Sequence, residues 1–313
     1  MDGSKLAVYG AIGANVAIAA TKFAVAGVTG SSAMLAEGIH SAVDTGNGIL
    51  LLVGMKLSQR EATAEHPFGH GKEIYFWSLI VAVLIFGLGG GISAYQGLLH
   101  VLHPQQMGDP LWNYVVLAAA ALFEGISFGI ALRTFLREKG TQPFWQALHE
   151  SKDPTTYTVL AEDSAALAGL AVAAVGIYLG HRLDLPVLDG VASIVIGFLL
   201  AGVAVLLIRE SRGLLIGEGV RPATAEGIQR IALSHPCVHL VGRPLSMYIG
   251  PEDVLLTLDV EFDRDASAEQ VAESIYGIEQ EIRATYSKIK RIYIEAGSIG
   301  ARARPDKKVP TLP

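Results

Sequence analysis

The sequence predicts an all-α bundle of six transmembrane helices followed by a small α+β domain of αββαβ order. Three observations carry that prediction. Hydrophobic residues make up 51% of the 313-residue chain and charged residues only 17%, with a mean hydropathy of +0.41, whereas a soluble domain carries roughly a quarter charged residues. The apolar residues gather in runs close to the ~20 residues that a helix needs to cross hydrocarbon. After Gly213 they return only in short alternating runs among frequent acids such as Asp253, Asp259, Glu261 and Glu269.

Counting apolar runs places the spans at residues 6–28, 31–57, 74–99, 111–135, 155–179 and 187–208. The first run follows the N-terminal polar residues with no small-residue cleavage site behind it, so a retained span is expected, not a signal peptide. Basic residues set the orientation. Lys56, Arg60 and Lys72 flank the second connection, Arg133, Arg137, Lys139 and Lys152 the fourth, and Arg209 and Arg212 follow the last span, while residues 100–110 hold no Lys or Arg. Both termini are therefore expected in the cytoplasm of an integral, multi-pass protein, which in a bacterial host means the inner cell membrane.

In the C-terminal part, residues 222–234 have helical spacing and 244–249 and 254–262 read as strands around Gly250-Pro251. Residues 267–286 form an amphipathic helix and 290–295 a last strand. The αββαβ order resembles a ferredoxin-like layer of sheet and helices. The expected division is a six-span membrane domain at 1–209, a cytoplasmic αββαβ domain at 210–298, and a polar, proline-rich disordered tail at 299–313. The net charge of -6 supplies no basic face for nucleic acid, and the single cysteine, Cys237, excludes an internal disulfide or a CxxC site.

Charge inside lipid costs roughly 2.5–3.5 kcal/mol per residue on insertion scales, so each ionisable residue at membrane depth needs a partner or a task. In the second span Glu37, His40 and Asp44 stand at i, i+3 and i+7, on one stripe of a helix. An imidazole and a carboxylate one turn apart suit zinc and its neighbours in the series. One helix face cannot surround an ion, and the fifth span offers Glu162 and Asp163 at compatible depth. Their side chains point about 100° apart, so one of them is expected as a primary ligand. Glu124 is a candidate proton relay or a packing contact, and Lys22 is expected to snorkel or to pair with a carboxylate. The alternative is that these groups only bond helices together.

These residues resemble the cation diffusion facilitator family. The likeness lies in Ser31-Ser32-Ala33, in Ala36-Glu37-Gly38-Ile39-His40-Ser41-Ala42-Val43-Asp44, and in His66-Pro67-Phe68-Gly69-His70-Gly71-Lys72. The stretch from His40 to Asn47 and the fifth-span stretch from Leu160 to Ala166 are nearest to the zinc transporter 9-like branch. The resemblance implies a homodimer in the lipid bilayer that exchanges a divalent metal ion for protons, with no resident cofactor. It makes 1–209 the transport domain and 210–298 the dimerisation domain. It places the transport site at His40 and Asp44 with a matching pair in the fifth span, which selects Asp163 over Glu162. Zinc is the expected cargo, with Mn2+, Fe2+ and Co2+ as alternatives, and H+ is the counter-ion.

The chain also departs from the family pattern. Val159 stands where a ligand four residues before Asp163 is expected, which leaves Glu162, Glu37 or water to complete the set. The second connection keeps His66 and His70 as weaker metal candidates, but Thr63 replaces the acid expected before them. His235 and His239 are read as no metal site. Glycines at 38, 46, 48 and 169 are expected to permit close helix approach. Two further readings compete with transport: a membrane metalloenzyme, for which no HExxH or GxSxG motif is present, and a non-transporting scaffold or sensor.

Overall fold

The structure, a computed structural model, describes residues 3–104, 109–139, 143–144, 152 and 154–298. The proposed tail at 299–313 lies outside them. The chain divides into two compact units, 1–61 with 72–215 and 62–71 with 216–313.

The first unit is built from rods. Helix α1 spans Gly3–Thr29 and α2 Ser32–Ser58; α3 (Glu73–Leu84), a π-helical segment (Ile85–Gly91) and α4 (Ile92–Leu102) form one continuous rod. Then come α5 (Leu111–Glu138), α6 (Pro154–Leu183) and α7 (Val187–Ile216). Four stretches are long and apolar enough to cross a membrane: Glu73–Leu102, Leu111–Arg137, Tyr157–Leu183 and Val187–Ile216. Asn15–Thr29 is a shorter apolar helix, and α2 has the length but carries a polar stripe. Large apolar side chains stand open on these rods, with Leu122 63%, Ile130 64% and Phe198 72% exposed. That much uncovered hydrocarbon is unfavourable in water and natural in lipid; this is an integral membrane protein.

Three local features differ from the expectation. The third rod is not α-helical throughout: residues 85–91, IFGLGGG, widen into a π turn. Gly89, Gly90 and Gly91 remove the side chains that would resist the widening. Helices α6 and α7 run on to Leu183 and Ile216, beyond the apolar runs, because helical hydrogen bonding continues where hydropathy stops. Of the glycines expected at helix contacts, Gly46 and Gly48 would have nothing within 4 Å of an added methyl group, so they seat no neighbour. Gly38 and Gly169 do seat neighbours, the Phe23 ring and the Glu37 carboxylate, while backbone meets backbone between the third rod and α7. A Cβ on Gly97 would fall 2.6 Å from the Gly190 carbonyl oxygen and 2.7 Å from the Ile194 nitrogen. Backbones touch there, as small residues allow in lipid. Gly97→Val is expected to destabilise the purified protein by about 1–3 kcal/mol, the cost of overpacking. Gly202→Ala, with open space around it, is expected to leave the thermal melt unchanged or slightly raised.

The start of α2 is anchored by a group absent from the sequence expectations. Ser31 is its N-cap, accepting from the Met34 amide at 3.1 Å. Fully buried Asp189, in the first turn of α7, accepts from the Ser31 hydroxyl at 2.6 Å, the Ser32 hydroxyl at 2.9 Å, the Ala33 amide at 3.3 Å, and the Ser32 amide. Unsatisfied N–H groups and the positive end of the helix dipole hold this carboxylate charge inside the bundle.

The second unit contains α8 (Pro222–Leu233), β1 (Val238–Val241), β2 (Leu245–Gly250), β3 (Asp253–Phe262), α9 (Ala268–Thr285) and β4 (Ile289–Ser298). The short strand β1 was not expected, so the order is αβββαβ. Its four residues show no clean alternation from which to read it. β1 and β2 lie end to end on one edge of β3, both antiparallel, with Val241 opposite Val260 and Met247 opposite Leu255. β4 runs parallel along the other edge, Leu256 opposite Ile292; α9 supplies the crossover that a parallel pair requires. Val254, Leu256, Leu258, Val260 and Phe262 alternate along β3 into a core with Ile228, Ile278 and Ile282. A capping box between Ser267 and Gln270 starts α9.

Candidate functional site

The polar stripe of α2 meets different neighbours at successive levels. At the first level Glu37 faces α1. Lys22 donates to its carboxylate at 3.0 Å and to the Ser41 hydroxyl at 2.8 Å, and Lys22 and Glu37 are both fully buried. Gly169 of α6 lies so close to the other Glu37 oxygen that a methyl group there would collide with it. Glu37, expected among the metal ligands, is thus the partner of an ammonium ion.

One turn further, His40 is 2% exposed, with its Nδ1 3.3 Å from Asp44 Oδ1 and with neither ring nitrogen in a hydrogen bond. An imidazole with both nitrogens idle inside a bundle is costly. It is an uncommitted donor set beside a carboxylate.

Beyond His40 the bundle opens into a cavity of about 370 Å³. Asp44 from α2, Glu124 from α5, and Glu162 and Asp163 from α6 all line it, with Ser41, Ser127 and Asn15 among the polar neighbours. No Lys or Arg is among the described lining residues. Val159 also faces it, an apolar wall where a ligand was expected. Two of the acids are oriented by neutral partners: Asn47 Nδ2 donates to Glu162 Oε1 at 2.9 Å, and Ser127 donates to Asp163 Oδ2 at 2.9 Å. Ser127 was not singled out from the sequence, and Asn47 entered only as the end of the His40–Asn47 stretch, although it lies at i+3 from Asp44 on the same stripe.

The structure therefore brings Asp44, Glu124, Glu162 and Asp163 to one cavity, keeps His40 beside Asp44, and commits Glu37 to Lys22. Among the described residues no three His, Cys, Asp or Glu side chains converge tightly enough to hold a metal ion. The arrangement is an open acidic cavity, not a closed coordination shell.

His66 and His70 lie in the other unit. Their rings stack with centroids 4.6 Å apart, on a turn closed by the Gly69 amide to the His66 carbonyl at 2.9 Å. Arg291 of β4 holds this segment, donating to the Pro67 carbonyl and covering the Phe68 ring at 5.3 Å. His235 pairs with Glu281 at 3.1 Å and His239 with Asp263 at 3.7 Å.

Four carboxylates thus face one cavity among the apolar helices of an integral membrane protein. The profile of the cation efflux transmembrane domain matches residues 8–216, and the chain belongs to this cation efflux, or cation diffusion facilitator, family. It is 35% identical over 238 residues to the mitochondrial proton-coupled zinc antiporter SLC30A9 of Xenopus laevis, covering 75% of this chain and 42% of that one. To metal tolerance protein C4 of Arabidopsis thaliana it is 31% identical, over 83% of this chain and 57% of that one. To the manganese efflux system protein MneP of Bacillus subtilis it is 24% identical, over 90% and 91%. The chain thus spans about two fifths of the length of the SLC30A9 relative. These relatives are named for metal transport and tolerance, not for catalysis.

Proposed function

We propose that this chain is a six-span transporter that exports a divalent transition-metal ion, zinc foremost, in exchange for protons. The single observation that carries the reading is the cavity lined by Asp44, Glu124, Glu162 and Asp163. Four acids in so small a volume of hydrocarbon repel one another unless protons or a cation neutralise them. Protons and metal then compete for the same oxygens, because a ligating carboxylate or imidazole must first lose its proton. That competition is the coupling.

In this reading His40, Asp44 and Asp163 are the ligands, Glu162 completes the set in place of Val159, and Glu124 passes protons. Asn47 and Ser127 orient Glu162 and Asp163, as the hydrogen-bond partners of metal ligands commonly do. The cavity admits the ion in the open form, and rocking of the helices that carry the acids closes it. One imidazole among several carboxylates discriminates weakly between Zn2+, Mn2+, Fe2+ and Co2+, in keeping with relatives named for both zinc and manganese.

We assign transport to 1–209, pairing of two copies to 210–298 and a tail to 299–313, with both termini cytoplasmic; helix α7 itself carries on to Ile216. The open face of the sheet, where Leu245 is 67% and Tyr293 55% exposed, is the surface on which a second copy docks. The test is metal uptake into proteoliposomes with an imposed pH gradient, run separately with Zn2+, Mn2+ and Co2+. Gradient-driven zinc flux is the expected result; flux of none of the three, from protein that is folded and correctly inserted, contradicts the proposal.

A further inference from the structure

A second cavity, of about 530 Å³, lies at the other end of α2, where Ser31 and Ser32 face Gln96, His100 and His103 of the third rod. Ser32 and Asp44 are twelve positions apart on one helix, about 18 Å, so this cavity is distinct from the acidic one. Gln96, His100 and His103 stand at i, i+4 and i+7, one stripe of a helix and its cap, all lining the same space. His100 is 8% exposed, and its Nε2, sealed from solvent, has no hydrogen-bond partner. The nearest anion is Asp189 Oδ2, at 4.0 Å.

We infer that His100 and His103 form a second binding site for a divalent transition-metal ion, with Gln96 beside it and Asp189 orienting His100. A metal-ligating imidazole commonly directs its other ring nitrogen at a carboxylate, which fixes the tautomer and raises the basicity of the ligating nitrogen. Here Nε2 lies 4.0 Å from Asp189 Oδ2, facing it without a hydrogen bond, so Asp189 acts on the ring by its charge and Nδ1 is left to ligate. Asp189 is well suited to the orienting task and not to direct ligation, since its oxygens already accept from Ser31, Ser32 and Ala33. Two imidazoles with open remaining positions favour zinc and its neighbours and bind weakly enough to release them. The site's use as a station on the transport path rests on the proposed function; its capacity to bind metal does not.

The test is titration of the metal-stripped, purified full chain with Co2+, followed by its visible absorption. The parent is expected to show two classes of site. The double variant His100→Gln/His103→Gln is expected to lose one class and keep the other, and Asp44→Asn/Asp163→Asn to show the converse. Asp189→Asn is expected to weaken the class lost in the histidine double variant by about 10–100-fold. Binding by the histidine variant indistinguishable from the parent overturns the inference. If only the aspartate variant binds like the parent, the inference stands and the transport-site reading fails. In the parent itself, Zn2+ is expected to slow diethyl pyrocarbonate labelling of His103 about tenfold or more, as read by mass spectrometry; an unchanged rate there also overturns the inference, with no dependence on how the variants fold.

Discussion

Asp44→Asn and Asp163→Asn are each expected to cut metal flux through reconstituted proteoliposomes by about 100-fold or more. The two carboxylates come from different helices and line one cavity, so neither can replace the other. Loss of a group that only orients a ligand costs about 10–100-fold, and a ligand should cost more. Ser127→Ala provides that lower comparison, because Ser127 touches Asp163 and bonds it through one oxygen. Glu124→Gln is expected to divide differently: metal binding measured at equilibrium persists, while the response of flux to a pH gradient flattens. If both aspartate variants transported at the parental rate, the cavity would not be the transport site.

Most of the helices and the longer strands were legible because hydrophobic period is a local property, whereas the four-residue β1 is too short to show one. The expected spans at 111–135 and 187–208 fall inside helices Leu111–Glu138 and Val187–Ile216. The π segment was not legible, since a run such as IFGLGGG is equally apolar whichever hydrogen-bond pattern it adopts. The stripe of α2 shows the same limit at the site. Spacing put Glu37, His40 and Asp44 on one face, but spacing says nothing of what packs against that face at each level. At Glu37 it is Lys22; further along, at Asp44, it is the acids of α5 and α6. Asp189 was invisible for a related reason. Its partners include backbone amides at the start of another helix, and no residue type advertises an amide. The rule that a charge at membrane depth needs a partner, applied to the sixth span as it was to the second, would have singled it out.

Lys22→Met is expected to destabilise the protein by about 3–5 kcal/mol, the cost of leaving a buried partner charge uncompensated. Lys22 and Glu37 meet at 3.0 Å with both side chains closed to solvent, so a Glu37 carboxylate without its ammonium has neither water nor a cation. Glu37→Gln alone should be similarly harmful, because it strands the lysine. The double variant Lys22→Met/Glu37→Met removes both charges, and exchange of a buried pair for apolar side chains is often neutral or stabilising. Its melting temperature is therefore expected near that of the parent, well above either single variant. The same cycle decides what Glu37 does. A carboxylate that belongs to the lysine can be deleted together with it, and Co2+ affinity at the acidic cavity should then stay within about threefold of the parent, less than the 10–100-fold that follows loss of a group orienting a ligand. A carboxylate that ligates metal cannot be deleted in this way, and a double variant that melted like the parent but had lost cobalt binding would return Glu37 to the ligand set and make Lys22 a counter-ion that the arriving metal displaces.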